Sequence, residues 1–372
     1  MSPVRFGIVG VGGMGGHHAR MFGDLPEVQL VAVADVNPDT TQKVALETGA
    51  RGFGSASDLL AWSEVEAVLI ATPHLFHVPV ALEAASRGIH VLSEKPIAVS
   101  VSQADAMIQA CDEAGVLLGV MFQQRTESVR QTMRAMIEGG ELGEVHRISM
   151  TAPWYRTQAY YDSGAWRGTW TGEGGGILMN QAPHSLDQFV WLFGRSPKSV
   201  QAICDTRGHS IEVENLAVAI CDYGEGVTGQ FYASTSDVPS GERVEIAGDR
   251  GLLLLDDRGL RFLELQTPLS KHLREAKGGF DTPERAWREV AHLKEGQDYS
   301  KVVLAFAHAI RSGDPSGLVA DGRDGLAALE LGNAILLAGY TRREVSFPLD
   351  RLAFDTMLQK LQGGASPSSL RA

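Results

Sequence analysis

The chain has 372 residues, 44 % of them hydrophobic and 21 % charged, and its 33 basic against 45 acidic residues leave a net charge of −12. That length supports two domains with sizeable cores, and the acidic balance argues against nucleic acid or an anionic membrane as the main partner. No apolar run reaches the length of a membrane span, and with the first predicted strand so near the N-terminus no signal peptide is expected. Three scattered cysteines (Cys111, Cys204 and Cys221) fit small buried residues in a reducing compartment better than a disulfide framework. A cytoplasmic protein is expected.

The first third alternates strand and helix. Apolar runs at Phe6–Val9, Leu30–Ala34, Ala67–Ala71, His90–Ser93 and Leu117–Phe122 predict strands. Helical stretches lie between them, among them His17–Phe22, Pro79–Ser86 and Gln103–Glu113. Val/Ile/Leu-rich runs separated by helices predict a doubly wound parallel sheet buried on both faces. After about residue 125 strands follow one another: Ser199–Cys204, Leu216–Tyr223, Val227–Ser234, Arg243–Ala247, Gly251–Asp256 and Leu260–Leu265. Turns such as Tyr223-Gly224-Glu225-Gly226 and Gly248-Asp249-Arg250-Gly251 join them, which predicts a large open, mainly antiparallel sheet in an α+β domain. Residues 266–298 are polar and aperiodic, an excursion with one short helix. Helices return at Tyr299–Arg311 and Gly325–Tyr340. The expected domains are 1–124, a dinucleotide-binding domain, and 125–348, a substrate-binding and oligomerisation domain whose helix 325–340 packs back on the first. A C-terminal helix and flexible tail are expected at 349–372.

The first predicted strand runs into Gly10, Gly12 and Gly15, the G-x-G-x-x-G spacing, with Gly13 and Met14 inside it. The first glycine makes the tight turn, the second lets a pyrophosphate approach the backbone, and the third lets helix and strand pack closely. The helix N-terminus then offers unpaired N–H groups to phosphates. Asp35 ends the second strand, where a carboxylate meets the adenosine ribose. No Arg or Lys follows it in Val36-Asn37-Pro38, so NAD is expected over NADP. The alternative is a glycine-rich turn without ligand.

Two further motifs follow strand ends, where ligands of open α/β sheets bind. Ala71-Thr72-Pro73 precedes His77, and Glu94-Lys95-Pro96 follows His90–Ser93. Proline keeps the Lys95 backbone extended, and burial beside a cofactor would bring its ammonium toward a useful proton-transfer range. The alternative is an ordinary surface lysine. Downstream, Gly174-Gly175-Gly176 leads to Asn180, Gln181, Pro183, His184 and Asp187. The spacing of Asn180, His184 and Asp187 predicts one face of a helix. His184 then moves a proton with Asp187 orienting it, or it is a packed core histidine bonded to Asp187. Arg125 either bonds substrate or caps the first domain. Tyr160, Tyr161, Trp154, Trp166 and Trp170 either stack on a sugar face or form a hydrophobic junction. The pairs His17–His18 and His74–His77 lack a third ligand at metal spacing, so no metal is expected.

Taken together these motifs resemble the glucose–fructose oxidoreductase/inositol dehydrogenase (Gfo/Idh/MocA) family. The matching residues are Gly10/Gly12/Gly15, Thr72-Pro73 with His77, Glu94-Lys95-Pro96, Arg125, Trp166-Arg167, Gly174-Gly175-Gly176 and His184 with Asp187. The resemblance spans Phe6 to about Pro348. It implies an N-terminal Rossmann domain, a second domain on an open antiparallel sheet, and NAD(P)-dependent oxidation or reduction of sugars or cyclic polyols without metal. It implies Lys95 as the catalytic lysine and His184 as acid/base, with Trp166 and Arg167 near nicotinamide and substrate. Many members carry Asp where this chain has Asn180, which puts more of the base role on His184 and Lys95. The stretch from Tyr160 to Trp170, with Asn180–His184, resembles the branch acting on glycosides and anhydrosugars, including levoglucosan dehydrogenase. The substrate set is thus Lys95, Arg125, Tyr160, Trp166, Asn180, Gln181 and His184. The expected partners are a small sugar or polyol and, through the open sheet, a second copy in a homodimer or homotetramer. A keto-sugar reductase, or a non-catalytic NAD(P)-binding sensor on the same fold, are the alternatives.

Overall fold

A computed structural model describes residues 2–371; the last residue of the expected tail, Ala372, lies outside them. The chain forms two compact units, one of residues 1–126, 171–174 and 297–329, the other of 127–170, 175–296 and 330–372.

In the first unit, β1 (Val4–Val9), α1 (Gly13–Met21), β2 (Val28–Ala34), α2 (Pro38–Thr48), β3 (Arg51–Phe53), α3 (Ala56–Leu60), β4 (Ala67–Ile70), α4 (His77–Ser86), β5 (His90–Ser93), α5 (Val101–Ala114) and β6 (Leu118–Val120) alternate in sequence. The sheet order is β3-β2-β1-β4-β5-β6, and every pair is parallel. This is the doubly wound order, with its direction change between β1 and β4. The helix ends follow local chemistry. Asn37 caps α2 by accepting from the Asp39 and Thr40 amides, Pro38 fits its first turn, and Gly49 leaves it in the left-handed conformation. All of β4 is buried, so both sheet faces are covered. Phe6, Ile8, Leu69 and Leu92 form the core with Val303 and Phe306 of a later helix. The short edge strand β3 adds to the strands read from sequence; its Arg-Gly-Phe carries no apolar run to betray it.

The chain continues through α6 (Ser128–Glu138), β7 (Val145–Pro153), α7 (Gln158–Asp162), α8 (Trp170–Glu173) and α9 (Pro183–Phe193), then β8 (Ser199–Asp205), β9 (Leu216–Gly224), β10 (Val227–Ser234), β11 (Arg243–Gly248), β12 (Gly251–Asp256) and β13 (Gly259–Leu265). After α10 (Leu269–Glu275) and β14 (Arg285–Glu289) come α11 (Tyr299–Ser312), α12 (Gly322–Thr341), β15 (Val345–Ser346) and α13 (Arg351–Gln362). The second unit is built on a nine-stranded sheet of order β14-β13-β12-β11-β7-β10-β9-β8-β15. It is antiparallel except where β10 runs parallel to β7. The six strands expected as one succession are therefore split by β7, which sits between β10 and β11. Alternating burial marks one covered face, with Ile148 and Met150 inward. On that face Phe189 of α9 meets Phe231 of β10 edge to face, with centroids 5.6 Å apart. The polar excursion 266–298 holds α10 and the exposed strand β14.

Candidate active site

In the first unit the site begins at the C-terminal ends of β1, β2, β4 and β5. Gly10 follows β1, and its amide donates to the Ala34 carbonyl. A Cβ at Gly15 would fall on the Gly10 carbonyl oxygen, so α1 can start this close to β1 only on glycine. Over Gly12 and Gly13 the opposite holds. Both are exposed, and nothing stands within 4 Å of the position a Cβ would take. Gly12 caps α1 without a side chain, so the first amides of the helix stay open, with Met14 exposed beside them. Asp35, just after β2, accepts the Val11 amide at Oδ2 (3.0 Å) and the Asn37 amide at Oδ1 (2.9 Å). Each carboxylate oxygen keeps a second lone pair for a hydroxyl. Open amides, an unobstructed glycine cradle and an acid at the neighbouring strand end fit a dinucleotide.

Ala71, Thr72 and Pro73 lead from β4 toward α4, whose first residue, His77, is buried. Its Nδ1 lies 2.8 Å from the Pro96 carbonyl oxygen and its Nε2 2.8 Å from that of Thr72. The imidazole thus bridges the turn after β4 to the turn after β5. A neutral ring donates from one nitrogen only. Burial pushes the His77 pKa down, while the two carbonyls and the Glu94 charge pull it up. The neighbouring His74, Nδ1 3.1 Å from the Glu173 carbonyl, is pushed down to about 3 by burial first, then by the charges of His77 and Lys95. The Lys95 charge also opposes protonation of His77.

Glu94 follows β5. Its Oε2 accepts the Lys95 amide (3.2 Å), and its Oε1 lies 2.7 Å from Nε2 of His18 on α1. His18 is fully buried and packs edge-on against Tyr299. Sequence reading set His18 aside as half of a metal pair, whereas the structure makes it the partner of the acid next to Lys95. Its position three residues after Gly15, on the inner face of α1, was the available signal. Arg125, the last of these residues, is buried, and its guanidinium donates to the Val319 carbonyl (3.2 Å) and pairs with Asp324 (3.1 Å). It ties the segment after β6 to the start of α12.

In the second unit the expectation of a helix through Asn180 is corrected. Residues 177–181 form turns, with the Asn180 amide donating to the Gly176 carbonyl, and α9 begins at Pro183. Proline lacks the amide that a helix interior requires, so it starts this helix rather than kinking it. His184 stands in the first turn, 6 % exposed, and Asp187 lies one position short of a turn later, buried. The first turn is anchored by Ser185, whose hydroxyl accepts from Trp154 Nε1 (3.1 Å) and donates to Glu242 (3.1 Å). Glu242 also accepts from Arg130.

Glu214 was not singled out from sequence. Its buried carboxylate accepts the Gly176 amide (2.9 Å at each oxygen) and the Leu178 amide (3.1 Å), and its own carbonyl accepts the Ile177 amide. A Cβ on Gly176 would strike that carbonyl oxygen. Glu214 thus shapes the loop that presents Asn180, Gln181 and His184. Tyr160 brings the remaining residues together. Its hydroxyl oxygen receives Arg167 Nη1 (2.5 Å), Asn180 Nδ2 (3.2 Å) and Gln181 Nε2 (3.1 Å), and the Arg167 guanidinium also lies over the Trp166 ring. Trp170 packs edge-on to Tyr340, a core contact.

Residues 4–122 match the model of the oxidoreductase family with an NAD-binding Rossmann fold, and residues 130–254 match the GFO/IDH/MocA C-terminal domain. The WlbA dehydrogenase from Bordetella pertussis, solved in complex with NADH and UDP-GlcNAcA, is 31 % identical with a TM-score of 0.78, covering 94 % of this chain and 100 % of that one. Inositol 2-dehydrogenase from Rhizobium meliloti is 25 % identical over 92 % of this chain and 99 % of its own length. Levoglucosan dehydrogenase, solved with NADH and levoglucosan, covers 93 % of this chain with a TM-score of 0.76 but only 20 % identity, a likeness of fold that does not carry the branch assignment. The open glycine cradle, the Glu94-Lys95-Pro96 turn and the two matched domains agree: the chain belongs to the Gfo/Idh/MocA family of NAD-binding oxidoreductases.

Proposed function

We propose that the protein is a dehydrogenase that oxidises a secondary hydroxyl of a sugar or cyclic polyol, with Lys95 and His184 as its proton relay. The observation that carries this reading is the Lys95 turn. It sits at a strand end beside the glycine cradle and is held by two buried histidines, His18 through Glu94 and His77 through the Pro96 carbonyl. The relatives that act on inositol and bear nucleotide sugars support the substrate class.

Bound NAD supplies the acceptor for a hydride. The first amides of α1 bind phosphate, Asp35 accepts a ribose hydroxyl, and Ala71, Thr72, Pro73 and Glu94 line the way to Lys95. As the substrate C–H leaves with its electron pair, Lys95 and His184 accept the hydroxyl proton, leaving a carbonyl. Asn180 and Gln181 bond neighbouring hydroxyls, and Trp166 and Arg167 hold the reacting face. The reverse reaction uses the same groups.

No described helix is long and apolar enough to cross a membrane, and we place the protein in the cytoplasm. Ile203, Val218 and Ile220 expose apolar surface on the outer face of β8 and β9, with Ile203 and Val218 paired across the strands. This face is the proposed homodimer or homotetramer contact, and Ile220→Glu is expected to lower the mass measured by light scattering.

The activity is tested by NADH production across inositols, hexoses, anhydrosugars and nucleotide sugars. At least one should give turnover in one direction. An intact protein that binds NADH but turns over none of them, in either direction, is instead a sensor.

A further inference from the structure

We propose that the substrate carries a negative charge, a carboxylate or phosphate on the sugar, received by Arg156 and Arg167. The proposal rests on the dehydrogenase reading for what happens at the sugar hydroxyl, but it concerns the group that binds beside it.

The guanidinium carbons of Arg156 and Arg167 lie 5.1 and 4.4 Å from the centroid of one ring, that of Tyr160. Both cations are thus held against one ring. Both side chains are half-buried, so solvent screens them less than at an open surface. Arg156 donates to the Tyr155 carbonyl and Arg167 to the Tyr160 hydroxyl, and neither partner offsets a charge. Among the described residues neither arginine forms an ion pair. A guanidinium has five N–H donors in a planar fork that matches a carboxylate or phosphate. Stacking on Tyr160 and Trp166 fixes these forks in advance, which lowers the entropy cost of binding an anion.

The location ties the cluster to the reaction. The Tyr160 oxygen that takes Arg167 also takes the amides of Asn180 and Gln181, four and three residues before His184. With three donors already aimed at it, that oxygen leaves the other N–H groups of Arg167 to a ligand.

The test compares matched probes on the NAD-loaded protein: glucose with glucuronate and glucose 6-phosphate, and N-acetylglucosamine with UDP-N-acetylglucosamine. Both kcat/KM and equilibrium binding by calorimetry are measured. At least one charged probe should exceed its neutral partner by about tenfold or more. Arg156→Gln should reduce that ratio toward unity, mainly through KM, while Arg156→Lys should keep part of it. Which charged probe wins separates a carboxylate from a phosphate or diphosphate. Equal values for charged and neutral probes, or an Arg156→Gln loss of the same factor for both, overturns the proposal even if the protein is a dehydrogenase. Charge-selective binding that depends on Arg156 without any turnover upholds the anion site and removes the dehydrogenase reading.

Discussion

His18 Nε2 on α1 and Glu94 Oε1 after β5 stand 2.7 Å apart in the interior of the first unit, 76 residues apart in sequence. The other oxygen of Glu94 accepts the Lys95 amide. The helix that follows the glycine turn is thereby connected to the turn that carries the lysine. His18→Leu would leave a carboxylate that is 7 % exposed without this donor, costing about 1–3 kcal/mol of stability. It should also lower kcat, whereas His18→Gln, which restores an N–H, should recover part of both. Urea unfolding beside steady-state kinetics checks this. A normal kcat in a destabilised His18→Leu would make the pair structural only.

Asp35 is expected to set the cofactor preference. The acid is already fixed by the Val11 and Asn37 amides, and Val36 beside it is exposed and uncharged. A 2′-phosphate would meet a carboxylate with no guanidinium in that segment to receive it. NAD should be favoured over NADP by about 1–3 kcal/mol, roughly ten- to a hundredfold in kcat/KM. Asp35→Ser should narrow the gap while weakening the glycine turn.

Glu214 is expected to act through the loop it holds. In Glu214→Gln an amide NH2 would face backbone N–H donors now met by a carboxylate, at a cost of about 1–3 kcal/mol. Because that loop presents Asn180, Gln181 and His184, kcat should fall while affinity for NADH stays near normal. Fluorescence titration with NADH beside turnover separates the two, and a parallel loss of NADH affinity would contradict the role.

Acid should destabilise the fold through His74. Its folded pKa is lowered to about 3, chiefly by burial, while the unfolded chain takes up the proton near 6.5. Between these values the unfolded state binds one proton more, so stability rises with pH, by at most about 1.4 kcal/mol per unit from this group. The contribution is complete above about pH 6.5 and is lost as the pH falls toward 3. Unfolding free energies at pH 7, 6 and 5 should rise with pH, and His74→Phe should reduce the slope without abolishing it, because His77 and His90, also lowered by burial, contribute in the same sense.

Much of the first unit was legible because a parallel sheet buried on both faces writes itself as apolar runs, and because G-x-G-x-x-G has its own backbone requirement. The edge strand β3, Arg51–Phe53, was silent for lack of such a run. In the second unit β7 escaped notice because the half-buried Arg147, Ser149 and Thr151 alternate with its inward residues and dilute the pattern, and its place between β10 and β11 is a long-range pairing. Asn180 was assigned to a helix on spacing alone, although Pro183 marks the helix start. Lys95, His184 and Asp35 announce themselves by motif. His18 and Glu214 do not, since the groups they hold lie 76 and 38 residues away.

The central claim, that Lys95 moves the proton, is tested most directly by Lys95→Met, which keeps the length of the side chain and removes the amine. Turnover on the best substrate should fall about a hundredfold or more, with NADH affinity nearly unchanged. Near-normal turnover in that variant would contradict the proton relay and leave Lys95 a structural residue.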